Sequence, residues 1–321
     1  MNVSLWVWAV FGFLVLAALA VDLELPRTRR GEEREPTLRS AAIRSAAWIG
    51  LALLFGLGIL ALYGQHASLT FLTAYLLEKS LSVDNIFVFV VIFSELRIPP
   101  AQQKRVLLWG VLSALVMRAL LIGAGLYVIS RFQWVIYPFA ALIILAAVRL
   151  LWGRKKESEL VATACNICST WVARVIPITP VFHGHSFLVR QGGRLVATPL
   201  LVALIIVEST DVVFALDSVP AVLAVTREPF LVYTSNIFAM LGLRALYFLL
   251  AGIVDRFRFI NVGLAVILLF FGARLLLGEI IEFPHWVSLG VIAAALALSV
   301  MASLRWPAAR PTVPSGKDAA A

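Results

Sequence analysis

Charge is scarce in this chain. Asp, Glu, Lys and Arg make up 14% of its 321 residues, against about 25% in soluble domains. Apolar residues reach 61%, where soluble domains hold about 45–50%. That balance excludes an ordinary globular core and describes a polytopic membrane protein. Cysteine is nearly absent, with only Cys165 and Cys168, so no disulfide scaffold is available and a structural disulfide is not expected. No nucleophile–base pair and no phosphate-cradling glycine loop is visible, so the chain does not read as an enzyme. The net charge of +9 suggests nucleic acid only until its location is checked.

Nine apolar runs are long enough to cross a bilayer, which takes about 20 residues each. They fall at 3–21, 42–63, 69–94, 106–129, 133–152, 199–225, 231–253, 260–278 and 286–304. Basic residues are almost missing from one side of these spans, where only Arg131 and Arg227 stand. Twenty of the 27 Lys and Arg lie in the alternate loops 22–44, 96–105, 153–195 and 255–258 and in the tail. Positive-inside topology therefore places the amino terminus outside and the carboxyl terminus in the cytoplasm, and leaves no charge surplus for nucleic acid. Ala18-Leu19-Ala20 could pass for a signal-peptidase site. Cleavage would strand Arg27, Arg29, Arg30, Arg34, Arg39 and Arg44 outside, so the first helix is expected to stay.

The segment 22–40 carries Pro26 and Pro36 and reads as a charged cytoplasmic loop. Residues 153–198 form the largest soluble piece and a candidate surface for a protein partner. A short helix is expected there to about Val175, then a hairpin over 187–197 around Gly192-Gly193. Thr198-Pro199 has the form of a helix start. The tail after Arg305, with Pro307, Pro311 and Pro314, reads as disordered.

Two octets stand out inside the apolar runs: Glu78-Lys-Ser-Leu-Ser-Val-Asp84-Asn85 and Asp211-Val-Val-Phe-Ala-Leu-Asp217-Ser218. Both have the form acid-x5-Asp-(Asn/Ser). A charge at mid-bilayer costs roughly 2.5–3.5 kcal/mol on insertion scales, so equivalent acids in two spans point to use. The match extends further. Arg118-Ala-Leu recurs as Arg244-Ala-Leu, Arg131-Phe as Arg256-Phe and Arg149-Leu-Leu as Arg274-Leu-Leu. Helices three to five therefore repeat as helices six to eight, in opposite orientation. The predicted fold is all-α, about nine spans with an inverted repeat of three-helix units. Residues 1–66 are peripheral, 67–152 and 199–280 are the repeats, 153–198 is the cytoplasmic loop, and 281–321 is helix nine and the tail. In such folds the substrate site lies where the halves meet.

Glu78 and Asp211 fall near mid-depth. Asp84 and Asp217 lie six residues away toward opposite faces, about 9 Å along each axis. Six residues turn a helix by about 600°, so the two acids of each octet do not share a face, whereas Glu78 with Asn85 and Asp211 with Ser218 do. Either the helix unwinds locally, for which Pro220 speaks in helix six, or the faces meet different neighbours. The candidate metal ligands are Glu78, Asp84, Asn85, Asp211, Asp217 and Ser218, with the hydroxyls of Ser80, Ser82, Ser209 and Thr210 in reserve. Glu208, one turn before Asp211, is a weaker candidate. This oxygen-rich set, without Cys, His or Met, suits hard divalent cations such as Mn(II), Mg(II) or Ca(II) and repels oxyanions. Arg118, Arg244 and Lys79 are candidate charge partners. On the competing reading they join the acids only as buried helix–helix glue, or they serve proton coupling.

Cys165-x2-Cys168 with His183-x-His185 fits no common zinc spacing, and the thiols read as small buried groups on an amphipathic helix. His66 and His285 read as interfacial polarity. Trp6, Trp8, Trp48, Trp109, Trp134, Trp152, Trp286 and Trp306 lie mostly near span ends, as aromatic belts do.

The two octets, Glu208-Ser-Thr-Asp211, Thr234-Ser-Asn236-Ile-Phe-Ala239, Leu243-Arg244-Ala-Leu-Tyr247, Asp255-Arg256-Phe257, Phe182-His183-Gly184 and Ala197-Thr-Pro199 together resemble the signature of the TerC family of integral membrane proteins, over roughly residues 40–280. The resemblance implies a place in the LysE superfamily and a Mn(II) exporter using Glu78, Asp84, Asp211 and Asp217, with the metal as cargo and no resident cofactor. The family is named for tellurium resistance, but an acidic path argues against tellurite as the transported species. Cys165 and Cys168 are not part of the resemblance. The alternative is a membrane scaffold or assembly protein in tellurite or metal-stress resistance, acting through 153–198 without transport of its own.

Overall fold

The computed structural model describes residues 3–24, 37–151, 154–184, 186–191, 193–251, 259–277 and 283–306. The arginines of 27–34, Trp152, His185, the Asp255-Arg256-Phe257 motif and the tail beyond 306 lie outside the described residues, as does the side chain of His285.

Helix dominates because a backbone in lipid must satisfy its own N–H and C=O groups. In chain order the helices are α1 (Leu5–Glu24), α2 (Leu38–Glu95), α3 (Pro100–Arg131), α4 (Ile136–Leu151), α5 (Arg154–Val175), α6 (Pro199–Val225), α7 (Pro229–Leu241), α8 (Leu243–Leu250), α9 (Ile260–Leu277) and α10 (His285–Arg305). Strands β1 (Leu188–Gln191) and β2 (Arg194–Ala197) precede α6. They pair antiparallel, Leu188 against Ala197 and Gln191 against Arg194, which is the hairpin expected over 187–197.

Among the described residues six helices are long and apolar enough to cross a membrane, or seven if α7 and α8, bent by 41° at their junction, form one span. The count of nine depends on two further divisions. One cuts the 58-residue α2 at Gly64, whose φ of 84° and ψ of 176° interrupt the helix. Only glycine adopts that backbone freely. The other counts α1, whose apolar part, Leu5–Ala20, is shorter than the rest.

The helices stay intact through both octets. α2 is helical from residue 65 to Glu95, and α6 runs through Pro220 without a break. Local unwinding, one of the two expectations, is therefore absent, and the faces of each octet meet different neighbours. The cap expected at Thr198 also differs. α6 does start at Pro199, but the Thr198 hydroxyl does not cap it. It donates to the carbonyls of Ser186 and Phe187 at 2.8 and 3.1 Å and pins the hairpin to the helix.

α2 packs on α7 and α6, α3 on α6, α4 on α9, and α10 on α9 and α2. α9 and α10 come close because Gly263 has no side chain: a Cβ there would collide with Ser299 Oγ and come within 3.0 Å of the Ala295 carbonyl. Small residues at such crossings let membrane helices approach without a hydrophobic driving force.

Candidate functional site

Three spans deliver charge to one buried point. α2 presents Glu78, α3 presents Arg118 and α6 presents Asp211, with residue exposures of 1%, 3% and 3%. Arg118 Nη1 donates to Glu78 Oε2 at 2.7 Å. Its Nη2 and Nε donate to the two oxygens of Asp211 at 3.3 and 3.4 Å. Nη1 also reaches Ser218 Oγ at 3.3 Å. The planar guanidinium suits this task because its fork can hold Asp211 with two nitrogens while the remaining N–H turns to Glu78. Two carboxyl groups thus share one guanidinium.

The seven-residue spacing places Asp211 and Ser218 on this one face, as the helix period requires. Asn85, seven residues from Glu78, is buried as well. Asp84 and Asp217 are half-buried, and neither is among the groups that Arg118 binds. The charge that acts on Asp217 is Arg149 of α4, which the sequence reading had not paired with it. The site therefore joins Glu78, Arg118, Asp211 and Ser218 and leaves the second acid of each octet elsewhere.

The reserve hydroxyls are engaged by their own helices. Ser82 donates to the Glu78 carbonyl, Ser209 to Ile205, Thr210 to Val207 and Ser80 to Leu76. A back-bonded hydroxyl of this kind relieves the cost of a polar group in lipid and is no longer free as a donor. Glu208 is half-buried and accepts a hydrogen bond from Ser113 of α3. Lys79, beside Glu78 in sequence, points to another face. Its Nζ donates to the Ala239 carbonyl at 3.2 Å, near the α7–α8 bend. Arg244 is buried in the first turn of α8.

Sequence reasoning passed over Asn236 of α7 except as part of a family motif. It is 1% exposed and its side chain approaches Glu78, yet Asn236 Nδ2 and Glu78 Oε1 are both buried with no hydrogen-bond partner. The available signal was a polar run, Thr234-Ser-Asn236, inside an apolar helix. Thr234 and Ser235 bond back to Phe230 and Val232, which leaves Asn236 as the side chain turned to a neighbour.

Among the described residues no group of three or more His, Cys, Asp or Glu side chains is close enough to hold a metal ion. His183 is engaged with Gln191 at 3.0 Å. Cys165 is buried and Cys168 half-buried on α5, which packs on α2 and α6. Burial, then the nearby Glu95 carboxylate and Cys168, push the Cys165 thiol up to about 11.

The chain matches the model of the integral membrane protein TerC family over residues 63–310. It is 48% identical over 297 residues to the membrane protein STKORF319 of Myxococcus xanthus, covering 92% of this chain and 91% of that one. It is 42% identical over 300 residues to Alx of Escherichia coli K12, named as a candidate membrane-bound redox modulator, covering 91% and 92%. A membrane protein of Rickettsia bellii is 34% identical over 297 residues, covering 92% and 96%. No solved structure matches. With the buried acid–arginine cluster inside its membrane helices and this span of similarity, the chain belongs to the TerC family.

Proposed function

We propose that this protein exports a divalent metal cation, Mn(II) foremost, across the plasma membrane. The cargo passes between two inverted three-helix repeats in a nine-span bundle with its amino terminus outside. The observation that carries the reading is the convergence of Glu78 and Asp211, the matching acids of the two octets, on one arginine. Each charge in the bilayer core is costly. A purely structural triad could be replaced by apolar side chains at little loss or even a gain, so its presence favours use.

The chemistry follows from charge. Two carboxylates match a dication, and Arg118 supplies half of that charge. Metal and guanidinium therefore compete for the same oxygens. Asp84 and Asp217, about 9 Å along their helices, serve as acidic steps on either side. The pairing of α2 with α7, α3 with α6 and α4 with α9 supports a two-fold relation between the halves. Under it the first two pairs exchange and the third maps onto itself.

The name of the Escherichia coli relative raises thiol chemistry as another route. It meets Cys165, whose thiol at about 11 is the form least disposed to react, since the thiolate is the nucleophile. Cation transport is the stronger reading.

The deciding experiment is Mn(II) uptake into inside-out vesicles, scanning divalent ions with and without a proton gradient. Asp84→Asn and Asp217→Asn should each raise cellular manganese under manganese load. Normal accumulation at normal protein levels would count against export. Deletion within 153–198 that abolishes function, with the amide substitutions silent, would favour the scaffold role instead.

A further inference from the structure

Glu78 is used on one side only. Its Oε2 is held by Arg118 at 2.7 Å. Its Oε1 is buried with no partner, although a charged carboxylate oxygen in low dielectric is among the groups least tolerant of that state. The side chain that approaches the Glu78 carboxyl is Asn236, whose Nδ2 is likewise buried and makes no hydrogen bond. Two unsatisfied groups side by side in a sealed core call for an explanation. Thr234 and Ser235 do not supply it, since both hydroxyls are bonded within α7.

An amide whose nitrogen stops short of a hydrogen bond to the carboxylate gains little from its present orientation. Oxygen and nitrogen differ by a half-turn of the same planar group, and which way it points is set only by its neighbours. Turned about, Asn236 places its Oδ1 where Nδ2 stands, facing Glu78. A carboxylate oxygen and an amide oxygen so placed would repel each other without a cation and would chelate one with it. Hard divalent ions take this donor pair, carboxylate plus amide carbonyl.

We infer that Asn236 is a ligand of the transported cation and forms with Glu78 Oε1 its first foothold, reached before Arg118 yields Glu78 Oε2 and Asp211. The inference rests on the transport reading above and adds to it a residue and an order of events. The metal enters on the lobe of Glu78 that faces away from the guanidinium. Arg118 is drawn off afterwards, once the incoming charge has weakened its hold.

The test uses the purified full chain in detergent, titrated with MnCl2, with free Mn(II) read by its electron paramagnetic resonance signal. Four forms are compared: the parent, Glu78→Gln, Asn236→Leu and Asn236→Asp. Glu78→Gln should abolish binding, and Asn236→Leu should weaken it by about tenfold or more. Asn236→Asp should bind at least as tightly as the parent, because it keeps an oxygen in place and adds charge. A donor or water-bridging role predicts the reverse order, since an aspartate there would only repel Glu78. Asn236→Asp binding more weakly than Asn236→Leu therefore overturns the inference. So does parent-like binding by Asn236→Leu while Glu78→Gln binds nothing, and in that case the cation reading itself survives. Absence of Mn(II) binding by the parent would remove both. Should Asn236→Leu fail to fold, the comparison of Asn236→Asp with the parent decides alone.

Discussion

Arg118→Met leaves Glu78 and Asp211 buried in a bilayer-spanning bundle with no cation between them. In the native protein Arg118 makes one contact to Glu78 at 2.7 Å and two to Asp211 at 3.3 and 3.4 Å, and it is 3% exposed. Removing one partner of such a buried network costs about 3–5 kcal/mol, because uncompensated charge remains. At about 2 °C for each kcal/mol, the melting temperature of the detergent-solubilised chain should fall by roughly 6–10 °C. Arg131→Met, an exposed control at the end of α3, should move it little. The triple variant Glu78→Gln/Arg118→Met/Asp211→Asn removes every charge at once and should recover most of the loss, since a neutral set has no unpaired ion to bury. Transport should be dead in both. If Arg118→Met melts with the control, or the triple variant stays as unstable as the single one, the triad does not hold these helices as described. A stable triple variant that still exports manganese would show the acids to be glue.

Other perturbations probe separate parts. Gly263→Ala forces a Cβ against Ser299 Oγ and the Ala295 carbonyl and should cost about 1–3 kcal/mol as overpacking, read as a lower melting temperature; an unchanged value would mean that α9 and α10 separate freely. Ser113→Ala removes the donor to Glu208 and should lower the apparent Mn(II) affinity in vesicles only if Glu208 lines the path, with Glu208→Gln as the matching arm. Iodoacetamide should label Cys168 before Cys165 at pH 8. Because burial pushes the Cys165 thiol up to about 11, its labelling should rise about tenfold per pH unit up to that value; equal rates at pH 8 in Cys165→Ala and Cys168→Ala would refute the assignment.

Much of this architecture could be read from residue order because the bilayer constrains the chain so strongly. A run of apolar residues must be helical, so α3, α4, α6 and α9 lie where hydropathy places them. The half-turn geometry of the helix likewise put Asp211 and Ser218 on one face and Asp217 on another before any neighbour was known. What could not be read is which neighbour each face meets. Nothing local says that Arg118 serves both Glu78 and Asp211, or that Lys79 turns away to Ala239. The hydroxyls turn inward for a short-range reason: Ser82, Ser209 and Thr210 donate to a carbonyl about one turn back, which costs less than reaching across to another helix. Pro220 misled because a missing N–H removes one bond without unwinding a helix packed on several sides. Asn236 was passed over because its nearness to Glu78 is visible only in three dimensions.

The arginines carry the last consequence. On the proposed inverted plan Arg244 of α8 occupies in the second half the place Arg118 holds in the first, and both are buried. Arg118 clamps the acid pair in this conformation. Two-fold related halves in different conformations exchange roles when a transporter turns its opening from one face to the other. Arg244 should then take up the acids in the opposite-facing state. Weakening one arginine would favour the state that depends on the other. Arg118→Lys and Arg244→Lys keep the charge but lose the bidentate fork, so they should shift the population in opposite directions. A single cysteine at Ser82, one turn beyond Glu78, in a Cys165→Ala/Cys168→Ala background reports that shift as a changed alkylation rate. A ligand-independent bias of about 1 kcal/mol moves the ratio of states about fivefold, enough to read in rates. If both lysine variants move the rate the same way, or neither moves it, the arginines do not alternate and the inverted plan loses its mechanism.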